Sequence, residues 1–518
     1  MASAEEEPQA SKANVGISVM LLGSIGFMMA LFELTHCYKK TMAKYTWKSI
    51  SATISIFSAV LIFQGSNGIV EAYITEGVPP MIQFLVSIMQ LFAWFCGLQL
   101  VLAVITGVLP IKGFDPRFDD FEIMESRLKT FAILLGHTTG FAAINCFAIF
   151  QQLVPRTPLA TFLVAPCAWV LLYSFGRLTD SVRERVALIG DNKKEEHERM
   201  WDEETEETED DVIGLAVSFC FVQSVRLMVG GTLPNPEGEE PNEVMVSHSD
   251  TQSFTLITVG WILGLLEALR VLYIKKTIER LTPQGKNIIA MTFSWCIFFG
   301  SDGLLSHNIF IHEHGMMKEV TLALTVTVVA LIMIFALEQL QDLKHIDDAI
   351  DEAIRAVVNA IGILIGFAWE KAFDVAVAEI TSTVDVLPAP LTKMLLAVLL
   401  AGTVVPAWYR HILPNIIAIE EEERSEKEGK EGGALGEVAE AEEGRRETLT
   451  APLINEKNNE KADLSAALQH YNNKIAELEK RAARAEELEQ KNRELEDAIS
   501  TINQELGELQ KLADVLTN

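Results

Sequence analysis

The sequence predicts an all-α polytopic membrane protein: about 11 transmembrane helices forming two parallel five-helix repeats, a linking helix between them, and a C-terminal cytoplasmic coiled coil. Three observations carry that prediction. Of 518 residues, 49% are hydrophobic, and they lie in long runs rather than amphipathic stripes; each run is near the ~20 residues that a bilayer crossing needs. Five segments recur in the same order in the two halves of the chain. Near the C-terminus the apolar period changes to that of a coiled coil. Runs of this kind exclude a soluble enzyme.

Lys and Arg number 42 against 71 Asp and Glu, a net charge of −29. That balance argues against nucleic acid as a partner and places the negative charge in loops and tails. Cys37, Cys96, Cys146, Cys167, Cys220 and Cys296 fall in or beside apolar runs without CxxC spacing, so they read as small apolar residues rather than disulfides or zinc ligands.

Taken in order, residues 1–14 form a short polar, acidic outer tail with no basic start and no small-residue cleavage site, so the first apolar run reads as a retained helix. Repeat 1, 15–176, holds crossings at 15–37, 47–70, 80–109, 128–150 and 158–176. Residues 177–253 form a cytoplasmic loop, a linking helix at 212–233 and an acidic outer loop. Repeat 2, 254–417, holds crossings at 254–274, 286–310, 319–341, 353–380 and 387–417, of which 286–310 is the weakest by composition. A disordered acidic linker is expected over 418–460 and a dimerisation segment over 461–518.

Basic residues concentrate in the odd-numbered connections, for example Lys39 and Lys40, Arg183 and Arg185, and Lys275 and Lys276. The positive-inside rule then sets the N-terminus outside or in a lumen and the C-terminus in the cytoplasm, in the plasma membrane or an endomembrane. The sixth connection carries Glu237, Glu239, Glu240, Glu243 and Asp250 and belongs to the outer face. The acidic run from Trp201 to Asp211 is expected as a solvated cytoplasmic helix plus linker.

The duplication rests on colinear matches. YKKTM at Tyr38 pairs with IKKTI at Ile274, FSAVLIFQGSNG at Phe57 with FSWCIFFGSDG at Phe293, and GHTTGFAAINCF at Gly136 with GILIGFAWEKAF at Gly362. Phe95, Gln99 and Leu100 pair with Phe335, Gln339 and Leu340, and PLATFLVA at Pro158 with PLTKMLLA at Pro390. An offset of six helices preserves direction through the membrane, so the repeats are parallel rather than inverted.

In the tail, Asn492, Ile499 and Leu506 occupy a positions and Leu488, Leu495, Ile502 and Leu509 occupy d positions. A buried Asn at a favours a parallel two-stranded register. The expected partner is therefore a second copy of the chain, alongside membrane lipids; a helix packed on the protein's own loops, or recruitment of another coiled coil, are the alternatives.

Ionisable groups inside lipid cost roughly 2.5–3.5 kcal/mol at mid-helix and need a partner, water or a function. Glu33 in helix 1, Glu267 and Arg270 in helix 7 and Glu338 in helix 9 fall toward the cytoplasmic ends. Arg226 in helix 6 and Glu370, Lys371 and Asp374 in helix 10 fall toward the outer half, with His137 and Asn145 deeper in helix 4, and all of these groups are candidates to line or gate an ion path. Glu267 and Arg270, spaced i, i+3, pair on one face in the structural reading. Glu370 and Asp374, spaced i, i+4, stack two carboxylates and require a cation nearby, which makes them the leading candidate for a cation or proton site.

Gly136 and Gly140, like Gly362 and Gly366, have GxxxG spacing that permits close helix approach. The repeated Gly-Ser-Asn/Asp-Gly at Gly65 and Gly300 reads either as a break exposing carbonyls to a vestibule or as a helix C-cap. His307, His312 and His314 with Asp302 are candidates for outer pH sensing or zinc binding, although no HExxH or CxxC spacing supports a metal.

The chain has no GxxxxGK[ST], GxSxG or HExxH, hence no catalytic residue and no cofactor are expected. In plan, a dimer of two-repeat chains resembles two-pore cation channels and the proton-conducting otopetrins. The function expected is passage of inorganic cations or protons by a homodimeric, pseudo-fourfold channel or other ion-conducting protein. A secondary active transporter of a small solute and a membrane anchor recruiting a partner through its coiled coil are the alternatives.

Overall fold

The computed structural model describes residues 12–36, 40–109, 121–187, 195–273, 281–308, 316–341, 348–383 and 387–419. All regular structure among them is helical. The coiled-coil positions Leu488, Asn492, Leu495, Ile499, Ile502, Leu506 and Leu509 lie outside the described residues, as do Cys37, His312 and His314 and the side chains of Glu267, Arg270 and Glu338.

Every predicted crossing is a helix. They are α1 (Lys12–Thr35), α2 (Lys40–Val70), α3 (Pro80–Ile105), α4 (Phe121–Leu153), the short α5 (Pro158–Phe162) with α6 (Val164–Ala187), and α7 (Glu196–Gly230). After α8 (Asn242–Ser247) come α9 (Asp250–Tyr273), α10 (Leu281–Asn308), α11 (Met316–Gln341), α12 (Asp348–Thr383) and α13 (Ala389–Ala407). Prolines stand in the first turns of α3, α5 and α13, where a missing N–H leaves no helical bond unmade. Single π turns follow α2 at Glu71–Thr75 and α13 at Trp408–Ile412, the latter just after Pro406.

Eight helices among the described residues are long and apolar enough to cross a membrane, which marks an integral membrane protein. The run that looked weakest by composition is among them, over Gln284–His307. Large apolar side chains such as Leu22 on α1 (73% exposed), Leu159 on α5 (70%) and Leu399 on α13 (58%) cover the outward faces, as a lipid-facing surface requires.

The acidic run before helix 6 is helical, as expected, but one side of it is buried and no linker separates it from helix 6. It is the first half of α7, 35 residues long, which opens on a reciprocal Glu195–Glu198 capping box and ends on Gly231 in the left-handed region at φ +80°. Trp201, Thr205 and Thr208, spaced i, i+4, i+7, are buried while Glu203 faces out. Glu203 and Glu207 thus ride on the exposed face, while Glu209 and Asp210 are buried. Residues 177–187, expected in a loop, likewise continue α6.

The Gly-Ser-Asn/Asp-Gly motifs neither break nor cap their helices. Gly65 and Gly68 lie within α2, and Gly300 and Gly303 within α10. They admit a neighbour instead: a Cβ at Gly65 would sit 3.1 Å from the Met394 Cα of α13, and one at Gly300 would sit 3.1 Å from the Ser253 carbonyl oxygen of α9. The GxxxG pairs act the same way, Gly136 and Gly140 against Thr208 and Leu215 of α7, and Gly362 and Gly366 against Ser49 and Ile56 of α2.

Five helices close a ring: α2 packs on α4 and α12, α12 on α10, α10 on α7, and α7 on α4. The remaining long helices pack around it. Neighbour contacts orient two of these. Ser253, Gly260 and Gly264 of α9 meet Gly303, Cys296 and Phe293 of α10 in reverse order. Gly23 of α1 meets Leu324, and Phe27 stacks on Trp369, which bonds Thr327, so α1 follows α11 in forward order. Because α11 begins at Lys318 beside Asp302 of α10, α1 and α9 run in the same sense, away from the end that carries the 231–249 connection.

Candidate functional site

At that end the five-helix ring encloses a cavity of about 230 Å³. Its walls come from corresponding positions in the two halves. Val60, Phe63, Gln64 and Asn67 of α2 line it at the i, i+3, i+4, i+7 positions, and so do Trp295, Phe298, Phe299 and Asp302 of α10. Phe141, Ile144 and Asn145 of α4 line it too, as do Phe367, Glu370 and Lys371 of α12, the positions that the sequence matches align with them. One wall is therefore neutral, presenting two Asn and a Gln, while the other carries charge.

The deepest lining side chain from each ring helix is apolar: Val60, Phe141, Phe219, Trp295 and Phe367. Trp295 stacks on Phe367 at 3.8 Å between ring centroids and on Phe299 at 5.7 Å, and Phe219 meets its edge at 5.2 Å. These rings form a floor.

Above the floor, seven carboxylates line the space: Glu237, Glu239, Glu240, Asp302, Glu319, Glu370 and Asp374. Cations hold most of them. Lys318 lies 2.9 Å from Asp302 and 3.3 Å from Glu319, Lys393 donates to Asp374 at 2.9 Å, and Lys371 pairs with Glu239. Glu370, the leading candidate from the sequence, points into this space between Lys371 and Asp374.

The 231–249 connection turns back over the mouth. Asn235 and Glu239 exchange backbone and side-chain bonds at 2.9 and 2.7 Å, making a tight turn whose Gly238, at φ +84°, leaves room for Phe219 and Phe299; a Cβ there would lie 3.1 Å from each. Arg226 fixes the turn. Its guanidinium lies 4.0 Å over the Phe299 ring, donates to the Gly238 carbonyl at 2.6 Å, and pairs with Glu240 at 2.9 Å. Glu240 also receives His248 Nε2 at 2.5 Å. Burial pulls the Glu240 carboxyl upward, but the His248 hydrogen bond and the Arg226 charge outweigh it and hold it below the usual carboxylate range. The same hydrogen bond raises His248, against the opposing effect of burial. Glu237, flanked by Glu239 and Glu71, is raised, first by burial.

A second polar cluster occupies α7 nearer the opposite end. Arg183 of α6, 2% exposed, binds Glu209 at 2.6 Å and Asp202 at 2.9 Å, and Gln99 and Thr179 donate to Glu209 at 2.8 and 2.7 Å. Between this cluster and the floor, Gln284 donates to Asp210 at 2.6 Å and Asn287 to Asp211 at 2.9 Å.

Of the residues predicted from sequence, Glu370, Asp374, Lys371, Asn145 and Asp302 meet at the cavity. Arg226 stands behind its wall, holding the connection. His137 is buried in α4 away from the cavity lining, with Nδ1 unpartnered among the described residues. Glu33 is exposed on α1 beside His36, whose ring packs on Phe32. His307 ends α10, and Asp302 turns to Lys318. Among the described residues no group of three or more His, Cys, Asp or Glu is placed to hold a metal. The described cysteines are all free.

Sequence reasoning missed His248, the Arg183 cluster and the Asp211 layer. A signal existed for the second: Gly176, Thr179 and Arg183 share one helical face, as do Asp202, Thr205 and Glu209, two complementary stripes at the same spacing. No family model, curated protein or solved structure matches this chain.

Proposed function

We propose that this chain passes cations or protons across a membrane, through the five-helix ring. The observation that carries the reading is the acidic cavity set directly over an apolar constriction built from one side chain per ring helix. Carboxylates at the mouth concentrate cations, a ring of rings gates by excluding water, and the Asp211–Asn287 layer receives the ion beyond. Eight residues of α7 separate Asp211 from Phe219, roughly 12 Å at 1.5 Å per residue.

In this reading all eleven apolar helices span the membrane, the cavity faces outward or into a lumen, and the two halves are parallel repeats whose matched positions line one path. Their common spacing at the cavity and the shared sense of α1 and α9 support that arrangement. Chains pair through the coiled coil of 461–518, placing four related helical units in the assembly.

The test is purified protein in liposomes under a proton or potassium gradient with a fluorescent readout. Wild type dissipates the gradient, and Glu370→Gln slows it about tenfold. Unchanged flux in Glu370→Gln at equal incorporation removes that carboxylate from the path.

A second reading, a secondary transporter, is favoured by the position of the cavity between a covering loop and an apolar floor, as in an occluded carrier. Saturable, ion-coupled flux far below channel rates would select it.

A further inference from the structure

The mouth of the acidic cavity is covered by the turn at 235–240, held by Arg226, Lys371 and His248. These bonds hold the turn in place beside the cavity.

A second cavity, of about 300 Å³, lies between the end of α2, α3 and α4. It reaches the turn after the Glu71–Thr75 π segment, where Glu76 and Gly77 are exposed. The two cavities share two lining residues, Asn67 and Asn145. These form the partition: Asn145 Nδ2 donates to Asn67 Oδ1 at 3.4 Å, a long bond, and Asn67 Nδ2 donates to Glu71 Oε1 at 2.8 Å. Buried amide atoms without a partner among the described residues stand on each side, Gln90 Nε2 in the second cavity and Gln64 Oε1 in the first. Buried polar atoms take water when protein offers nothing. Apart from Val70, Val86 and Ile149, the side chains that line the side cavity are amides, hydroxyls and carboxylates, while the floor of the first cavity is aromatic.

We propose that water and small cations reach the acidic cavity sideways, through the chamber between α2 and α3, with the Asn67–Asn145 pair as its gate, and that the 235–240 turn is a fixed cover rather than the door. The proposal rests on the conducting reading only for what travels; the route itself is tested without conduction.

Single cysteines at Gln90 in the chamber and at Glu370 in the acidic cavity are placed in full-length protein whose Cys37, Cys96 and Cys167 are replaced by Ser. Reconstituted protein is then exposed to a small membrane-impermeant cationic thiol reagent. Both positions are expected to react. Adding Asn67→Phe should slow reaction at position 370 at least tenfold and leave position 90 unchanged, which also reports that the fold survives. Asn145→Leu should act in the same direction. Glu239→Gln, which loosens the cover, should leave the rate at 370 unchanged. Absence of reaction at position 90, an unaltered rate at 370 in both gate variants, or a tenfold acceleration by Glu239→Gln would overturn the proposal. Liposomes that show this labelling pattern and no flux would remove conduction while leaving the side route in place.

Discussion

His248 contributes a proton-dependent bond to the cover. Its pKa is raised by the hydrogen bond to Glu240, so the stabilisation it supplies is full below the ordinary imidazole value, about 6.5, and is lost as pH rises through the raised folded value. Glu240 is lowered, so its contribution is full above the ordinary carboxylate value and is lost as pH falls through the lowered one. The facing charges are Arg226 of α7 and Asp302 of α10, the latter held by Lys318. Protection of the amides across 235–240 in the full chain, taken relative to their intrinsic exchange rate at each pH, should therefore be greatest between the two limits and fall on both sides. His248→Ala should abolish the alkaline dependence and keep the acid limb; an alkaline limb surviving in that variant would assign it to another group. Neither side of this pair was prominent in the sequence, because a lone His in an acidic connection says nothing until the chain folds it onto a partner eight residues away. The Arg183–Glu209 pair differs in kind. Both groups are 2% exposed, and breaking such a pair strands a buried charge at a cost of about 3–5 kcal/mol.

Several helix contacts here are made at glycine. Gly300 has the Ser253 carbonyl oxygen 3.1 Å from the place where a Cβ would be, whereas Gly402 has nothing within 4 Å. Gly300→Ala should destabilise by about 1–3 kcal/mol, as overpacking does, and lower the thermal midpoint in detergent, with Gly402→Ala near wild type. Equal midpoints would show that α9 and α10 can separate freely. The eight membrane-length apolar helices among the described residues were legible because an apolar run of bilayer length leaves few alternatives. The GxxxG spacings in α4 and α12 pointed correctly to close packing. The Gly-Ser-Asn/Asp-Gly motif did not declare its role, because Gly-rich ends and Gly-rich interfaces look alike until the neighbour, Met394 or Ser253, is known. The start of α7 was hidden for a related reason. Eight carboxylates in a row of eleven residues read as solvent-facing, while Arg183, the group that buries one of them, arrives from a different helix.

The ring of five helices organises the rest. Trp295 lies between Phe299 and Phe367, with Phe219 at its edge, so Trp295→Ala removes the central member of the floor. Under the conducting reading, gradient dissipation by this variant should rise several-fold; a rate equal to wild type would place the barrier elsewhere. The colinear segments of the two halves include cavity-lining positions of α2, α4, α10 and α12. What they did not convey is the inequality of its walls, Asn145 answering Lys371 and Asn67 answering Asp302, or the connection folded across the mouth, since loop paths leave no periodic trace.

One helix joins both ends of this arrangement. Across its 35 residues, roughly 52 Å, α7 carries Glu209 in the Arg183 cluster and Arg226 under the cover, some 25 Å apart by helical rise. An unbroken rod cannot shift at one end alone. Asp202, near the start of α7, and Arg226, which holds the Gly238 turn, therefore belong to one continuous helix, so a disturbance at either end bears on the same element.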